Sequence, residues 1–529
     1  MALAALKSQG LQFVRKAPGG AVIAFFLLSA LFKMVPVVFP DVLPLDSDEA
    51  VLGLMARHIA QGELPRFAYG QTYGGGFEVL LAAGLERILP SGIYGFRLAA
   101  ALLAFATEWL FYRALAATFS SRTTRIAAAA MLAVGGMTYS RFMSHLYGIH
   151  LNNCFIFATL LFWSRDLRTL QRRAFLVGLW IGVGYWVSPF VWLSVVCILA
   201  IRLRQWNDMR KIPLGKLLVL VVGFAVGALP RIIHSYSPES WYAPYRAGGF
   251  ALARISAIPR RTTDLVLGTL PQYFFGQLST LGVAGSVAIV LGSGVSLLLI
   301  VLAVLPTARA WHQGQRTAFV PASVFLLAAA SAVLVVLNRR VFDSGYRYLW
   351  PVQFAVAAAW ATAVDRFRQA RPPHPSKPME SAVTRAFRFT CASLPFVLGA
   401  VALSMAQRGE SGVHAPASKR TIAAQALSDG CRVGVADYWY AYSLSLLTQE
   451  QLRLAPIYTP RIPSYAQAAA DAIVAGTRYC AILDLSDSAQ ATLPNRRLYQ
   501  QLLPTAERVY RYPGSIVLLV LGSAASEGG

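Results

Sequence analysis

Three uninterrupted apolar runs decide most of what this chain can become. Ala21 to Leu31, Leu217 to Val226 and Gly282 to Leu305 carry too few polar side chains to lie on the surface of a water-soluble protein. Segments of this kind close their backbone hydrogen bonds internally, as helices crossing an apolar layer about 30 Å thick. The whole chain agrees: 56% of its residues are hydrophobic and 14% charged, and its mean hydropathy is +0.51. The net charge of +24 raises nucleic acid as a partner. Most Lys and Arg instead fall in short loops between apolar runs, as cytoplasmic loops of membrane proteins require. The reading is therefore an integral membrane protein whose surroundings are lipid, with no nucleic-acid partner.

Orientation follows from the same charges. Lys7, Arg15 and Lys16 precede a first span over Gly20 to Pro40 and keep the N-terminus cytoplasmic. No Ala-x-Ala-like site follows that run, so it is read as a retained helix. Further spans are expected over Tyr94 to Leu115, Ile126 to Met143 and Ile149 to Trp163. Ala174 to Leu203 is too long for one crossing, and basic clusters on both sides demand an even number. A break at Ser188-Pro189 yields two short helices. The remaining spans are Leu217 to Leu229, Leu281 to Leu305, Phe319 to Leu337, Leu349 to Val364 and Phe387 to Ala406. The expectation is a mainly α, polytopic chain of about eleven transmembrane helices, N-terminus in and C-terminus out.

Residues 1–406 form this membrane domain, and residues 407–529 have the composition of a soluble α/β domain outside the membrane. Strands are expected over Arg432 to Ala436, Tyr479 to Leu485 and Ser515 to Leu521, and a helix over Ala466 to Ala475. Of the five cysteines, Cys431 and Cys480 lie in this part; one disulfide and two buried thiols both fit.

In a chain poor in acid, the outer loop 41–92 gathers seven carboxylates: Asp41, Asp46, Asp48, Glu49, Glu63, Glu78 and Glu86. Val51, Leu52, Met55 and Ile59 recur at helical spacing after Asp48-Glu49, so a helix lies there with one apolar face. A glycine-rich turn from Tyr69 to Gly76 leads to a second helix from Phe77 to Leu89, stopped by Pro90. A carboxylate at this place can take a proton from a hydroxyl, and Asp46 with Asp48 can hold a divalent ion. Equally, Asp46 or Ser47 caps the helix while Asp48 and Glu49 complement its dipole.

The stretch Asp48-Glu49-Ala50-Val51, then Ala56-Arg57-His58-Ile59, Gly62-Glu63, Tyr69-Gly70-Gln71 and Gly75 to Glu78 resembles the first outer loop of GT-C-fold glycosyltransferases. The nearest branch is that of the protein O-mannosyltransferases and the lipid A aminoarabinose transferases. The resemblance implies a sugar donor on polyprenyl phosphate, an acceptor hydroxyl on a lipid, glycan or protein, and inversion at the transferred carbon. It implies Asp48 as general base, with Glu49 and Asp46 orienting the acceptor, and no required cofactor or metal. The Ala/Arg-rich composition points to a bacterial inner membrane, and the basic N-terminal flank puts the Asp46 region on its outer side. One departure limits the resemblance: Gly70-Gln71-Thr72-Tyr73-Gly74 stands where the aminoarabinose transferases carry a Lys-Pro-Pro stretch, so sugar and acceptor stay unnamed.

Tyr346-Arg347-Tyr348-Leu349-Trp350-Pro351 resembles the family's Arg-Tyr-Leu-x-x-Pro signature, with its proline one residue early. A departing polyprenyl phosphate is a stable anion and needs cations rather than an acid. Arg347, with Arg339, Arg340 or the outer-loop pair Arg260 and Arg261, can supply them, and an arginine snorkelling to headgroups fits the same position. His58 can meet a phosphate or end a surface helix. Glu78, Tyr348 and the polar group His145, Tyr147, His150, Asn152 and Asn153 can line a sugar pocket or form an interfacial belt. Arg97 is expected to pair with Glu78 or Glu86. The aromatic run Tyr438 to Tyr442 after Asp437 suits carbohydrate and core packing alike. The rival from another class, a transporter or lipid flippase, would place ionisable groups at mid-membrane in paired repeats, and none is visible.

Overall fold

The computed structural model describes residues 20–43, 45–65, 67–70, 76–88, 92–134, 139, 143, 149–165, 171–203, 213–235, 252–270, 298–338, 348–369, 416–458, 460–486, 492–513 and 515–522. The expected span over Phe387 to Ala406 lies outside these residues, as does most of the one starting at Leu281.

The first long helix, α1, runs Gly20–Val38. After it come α2 (Ser47–Ala60), α3 (Phe77–Ile88), α4 (Ile93–Ala114), α5 (Arg122–Val134) and α6 (Ile149–Ser164). The doubtful segment breaks where Pro189 forbids a continuous helix, giving α7 (Ala174–Val187) and α8 (Val191–Leu203). Ser188 turns extended there, and its hydroxyl accepts from the Phe190 amide at 3.2 Å. Next are α9 (Leu214–Ser235), the short α10 (Ile258–Asp264), α11 (Leu298–His312), α12 (Phe319–Leu337) and α13 (Trp350–Gln369).

Among the described residues four helices are long and apolar enough to cross a membrane: α1, α4 with its short extension, α9 and α12. On α9 the apolar side chains Leu217, Leu218, Val221, Val222, Val226 and Leu229 are exposed, as a lipid-facing surface requires. The chain is a multi-pass membrane protein. Helix α4 is its hub, packing on α1, α3, α5 and α6. Ala99, Ala100 and Ala104 keep that contact close, and all are buried. Within this layer Lys33 of α1 pairs with Glu108 of α4, and the Ser29 hydroxyl donates to the same carboxylate at 2.5 Å. Pairing is what makes a buried charge tolerable there.

Helices α7 and α9 approach backbone to backbone. A Cβ on Gly178 or Gly182 would lie 1.9 Å from the Leu220 carbonyl oxygen or 2.2 Å from that of Phe224. One on Gly223 or Gly227 would lie 2.2 Å from the Phe175 or Leu179 carbonyl oxygen. Each helix thus turns a pair of glycines four apart toward the other, the small-residue contact that joins helices where no hydrophobic drive exists.

The C-terminal part holds α14 (Pro416–Ser428), α15 (Tyr438–Leu447), α16 (Pro463–Val474) and α17 (Thr492–Leu502) around a five-stranded sheet. Strands β1 (Val433–Ala436), β2 (Arg453–Pro456), β3 (Tyr479–Asp484), β4 (Ala506–Tyr512) and β5 (Ile516–Leu521) lie in the order β2-β1-β3-β5-β4. The first three are parallel and β5 runs antiparallel to β3 and β4. One sheet face packs Cys480, Ile482, Leu518 and Val520 under α14 and α15; the other packs Ala481, Leu483, Val517 and Leu519 against α17. Cys431 and Cys480 are buried free thiols, which decides the open alternative against a disulfide.

Replacing Gly182 or Gly223 by Leu must separate α7 from α9, with an expected loss of about 3 kcal/mol. Thermal melts in detergent check this. Gly215, with nothing within 4 Å of its Cβ position, serves as the tolerant control.

Candidate active site

Helix α2 begins where local chemistry puts it. Asp46 is extended, and its carboxylate accepts from the Glu49 amide at 2.8 Å, so Asp46 is the N-cap. The next turn sends its two acids apart, since neighbours on a helix point about 100° from one another.

Glu49 points inward. Its side chain is fully buried and meets the Arg97 guanidinium of α4 at 3.3 Å. Arg97 also donates to the carbonyls of Pro36, Pro40 and Leu43, at 3.4, 2.5 and 3.2 Å. The expected pairing of Arg97 with Glu78 or Glu86 is therefore corrected. Arg97 sits in the first turn of α4, under the connector from α1, whereas Glu86 belongs to the far end of α3 and faces Arg57 at 3.9 Å. Glu78 is buried at the start of α3.

Asp48 points the other way and keeps a quarter of its side chain exposed. Its partners come from the C-terminal part. The Tyr438 hydroxyl donates to Oδ1 at 2.6 Å, and Arg461 reaches the same oxygen at 2.8 Å. Helix α15, which carries Tyr438, lies along α2. Gly53 makes the approach possible, because a Cβ there would lie 2.8 Å from Leu446 and 3.1 Å from Phe96.

Two further contacts join the same elements. Lys419 of α14 is fully buried, and its ammonium donates to the Leu45 and Trp439 carbonyls at 2.6 and 2.7 Å and to the Ser443 hydroxyl at 2.9 Å. Burial pushes that lysine down to about 7, against the raising pull of Asp46, Asp437 and Glu49. At the far end of α2, His58 has both ring nitrogens engaged, with the Tyr69 hydroxyl at 2.8 Å and Glu450 at 3.0 Å. Glu450 also accepts from Tyr465 at 2.7 Å and meets Arg57 at 3.4 Å. Partial burial raises Glu450, but the bonds from His58 and Tyr465 and the charges of His58 and Arg453 outweigh it and hold the carboxyl at about 2.

Other residues singled out from the sequence separate into two groups. His150, at the start of α6, is buried and meets the edge of the Tyr348 ring at 6.5 Å between centroids. Tyr348 in turn leans on Phe190, 5.9 Å away. Two positions far apart in sequence thus come together at the N-terminal ends of α6 and α13. Arg260 is exposed and faces Asp264 at 3.8 Å, while Arg261 donates to the Val336 carbonyl at 3.2 Å. Arg339, Arg340, Arg347, His145 and Tyr147 lie outside the described residues. The aromatic run after Asp437 divides: Asp437 caps α15, Tyr440 and Tyr442 are core, and Tyr438 alone turns to Asp48. Arg461, Lys419 and Glu450 were missed by sequence reasoning. The only local signal is at Arg461, a charge set between Pro460 and Pro463.

No protein-family model and no curated protein matches the chain. Solved structures do. ArnT from Cupriavidus metallidurans bound to undecaprenyl phosphate superposes with a TM-score of 0.66 at 14% identity, over 96% of this chain and 99% of its own. The fold is GT-C. Apo ArnT from the same organism gives 0.61 at 13% identity over 95% and 98% of the two chains. The apo Archaeoglobus fulgidus oligosaccharyltransferase gives 0.50 at 14% identity over 95% and 74%. Among the described residues no group of three or more His, Cys, Asp or Glu is arranged to hold a metal ion.

Two outcomes check this geometry. Arg97→Met strands the Glu49 charge and is expected to cost about 3–5 kcal/mol; adding Glu49→Leu recovers most of it, as thermal melts of the pair measure. Glu450 is held below its unfolded value, so its contribution is complete above about pH 4.3 and drains away as pH falls toward 2. The melting difference between wild type and Glu450→Gln therefore shrinks between pH 6 and pH 3.

Proposed function

We propose that the chain is a membrane glycosyltransferase that moves a sugar from a polyprenyl-phosphate carrier to an acceptor hydroxyl with inversion. The observation that carries this reading is Asp48: a carboxylate with solvent access, opening the helix that follows the first apolar span of a GT-C fold. A structure with this fold, ArnT, holds undecaprenyl phosphate. Asp48 removes the acceptor proton, the oxygen attacks the anomeric carbon, and the bond from that carbon to the phosphate oxygen breaks. The pair of electrons leaves with polyprenyl phosphate, a stable anion, so cations rather than an acid are needed on that side. Arg347, which precedes Tyr348, is assigned that task, with the His150–Tyr348 contact marking where a donor headgroup rests.

The site faces the extracytoplasmic side of the inner membrane, and the α/β part, taken to begin near Gln407, sits over it. Asp46 serves as cap and Glu49 as an internal ion-pair partner, so orientation of the acceptor falls to Asp48 and its neighbours. No metal or cofactor enters this scheme. The transporter reading draws no support from the fold or from its structural neighbours.

Purified protein incubated with a panel of polyprenyl-phosphate sugars is expected to release polyprenyl phosphate, unchanged by chelator. Asp48→Asn should lower that release by about 10²–10⁴-fold. Full turnover by a variant carrying both Asp48→Asn and Glu49→Gln would remove the acidic loop from the mechanism.

A further inference from the structure

The grip on Asp48 is one-sided. Both of its contacts, from the Tyr438 hydroxyl and the Arg461 guanidinium, fall on Oδ1. Among the described residues nothing donates to Oδ2. The Tyr438 hydrogen bond and the Arg461 ion pair, whose nearest approach is to the same oxygen, orient the group and leave the second oxygen open to an incoming hydroxyl.

Arg461 is itself held from three directions. Its amide and that of Ile462 donate to the buried Tyr442 hydroxyl, at 2.6 and 3.2 Å. Its guanidinium lies over the Tyr438 ring, 5.3 Å from the centroid. Its stem packs on Gly70, where a Cβ would lie 2.7 Å from Arg461 Cγ and where the backbone φ is +70°, a combination that admits glycine alone. A surface arginine serving only solubility has no need of such confinement. Lys419 restrains the Asp48 side of the contact instead, pinning the Leu45 carbonyl one residue before the cap.

We propose that Arg461 and Tyr438 are positioning residues for Asp48, supplied by the C-terminal part, which hold the carboxylate by Oδ1 and present Oδ2 to the acceptor hydroxyl. This rests on the role given to Asp48 above. The C-terminal part is then a working component of the transfer site. Catalytic geometry is sensitive enough for this to matter, since a displacement of about 1 Å can cost about 10²-fold in rate.

The test uses the full-length protein with Arg461→Gln, Arg461→Lys and Tyr438→Phe. Arg461→Gln is expected to lower kcat by about 10–100-fold with the donor KM unchanged. Tyr438→Phe should lower kcat by a smaller factor, and Arg461→Lys should restore part of the loss. A second readout is independent of turnover: hydrogen exchange at the first-turn amides of α2. Exchange should quicken in Arg461→Gln, whereas adding Arg461→Gln to Asp48→Asn should change little. That pattern supports the grip even if wild type transfers no sugar, a result that would sink the glycosyl-transfer reading alone. A raised donor KM with kcat kept, a kcat that is unchanged or higher, or unaltered exchange in Arg461→Gln overturns the proposal.

Discussion

A guanidinium with almost no exposure holds the start of α2 to the helices α1 and α4. Helix ends leave carbonyls without partners, and Arg97 supplies donors to those of Pro36, Pro40 and Leu43 along the exit from α1. Its charge is balanced by Glu49, three residues past the α2 cap. The end of α1, the connector and the start of α2 become one corner, anchored on the hub helix α4. Burying such a charge is expensive, and the cost is tolerable only while all the partners are present. The corner is therefore fixed in one arrangement, and helical geometry then turns Asp48 away from the membrane helices.

What Asp48 meets there is decided by the C-terminal part. The interface between α2 and α15 combines a close apolar contact, Gly53 with Leu446, and polar links at both ends. The polar links alone would be weak where water competes. Lys419 differs, because it is buried and all three of its donors are used. The contact is dry, since Lys419 has no exposed surface, and that burial pulls the lysine down to about 7. The restraint on the loop is strongest just before Asp46, where it sets the direction of the helix.

Local signals carried the sequence reading a long way. The cap at Asp46, the apolar spacing from Val51 to Ile59 and the break at Ser188-Pro189 are each written within a few residues, and the structure has all three. The buried strands β1, β3 and β5 were legible as apolar runs. Strands β2 and β4 were not: they lie at the sheet edges, β2 ends in Pro456, and β4 carries Glu507, Arg508 and Arg511. Edge strands carry charge and proline to avoid pairing with other chains, which erases the pattern that reveals them. The partner of Arg97 and the roles of Lys419, Glu450 and Arg461 stayed hidden for a different reason. Each is a contact between segments tens to hundreds of residues apart, and no spacing along the chain encodes it.

A site that takes a proton and releases a phosphate must keep an anionic base apart from an anionic leaving group. In the proposed scheme the protein divides the two tasks between its parts. The acid stands on the loop helix, steadied by neutral and cationic donors from the α/β part. The leaving group is left to the ends of α6 and α13, where His150 and Tyr348 meet and where, in this scheme, a lipid-borne phosphate arrives by moving within the bilayer. The carrier need not leave the membrane for the acceptor to come from water. In that scheme a capped acidic helix at the water boundary, over helices whose flanks face lipid, suits two substrates that approach from different phases.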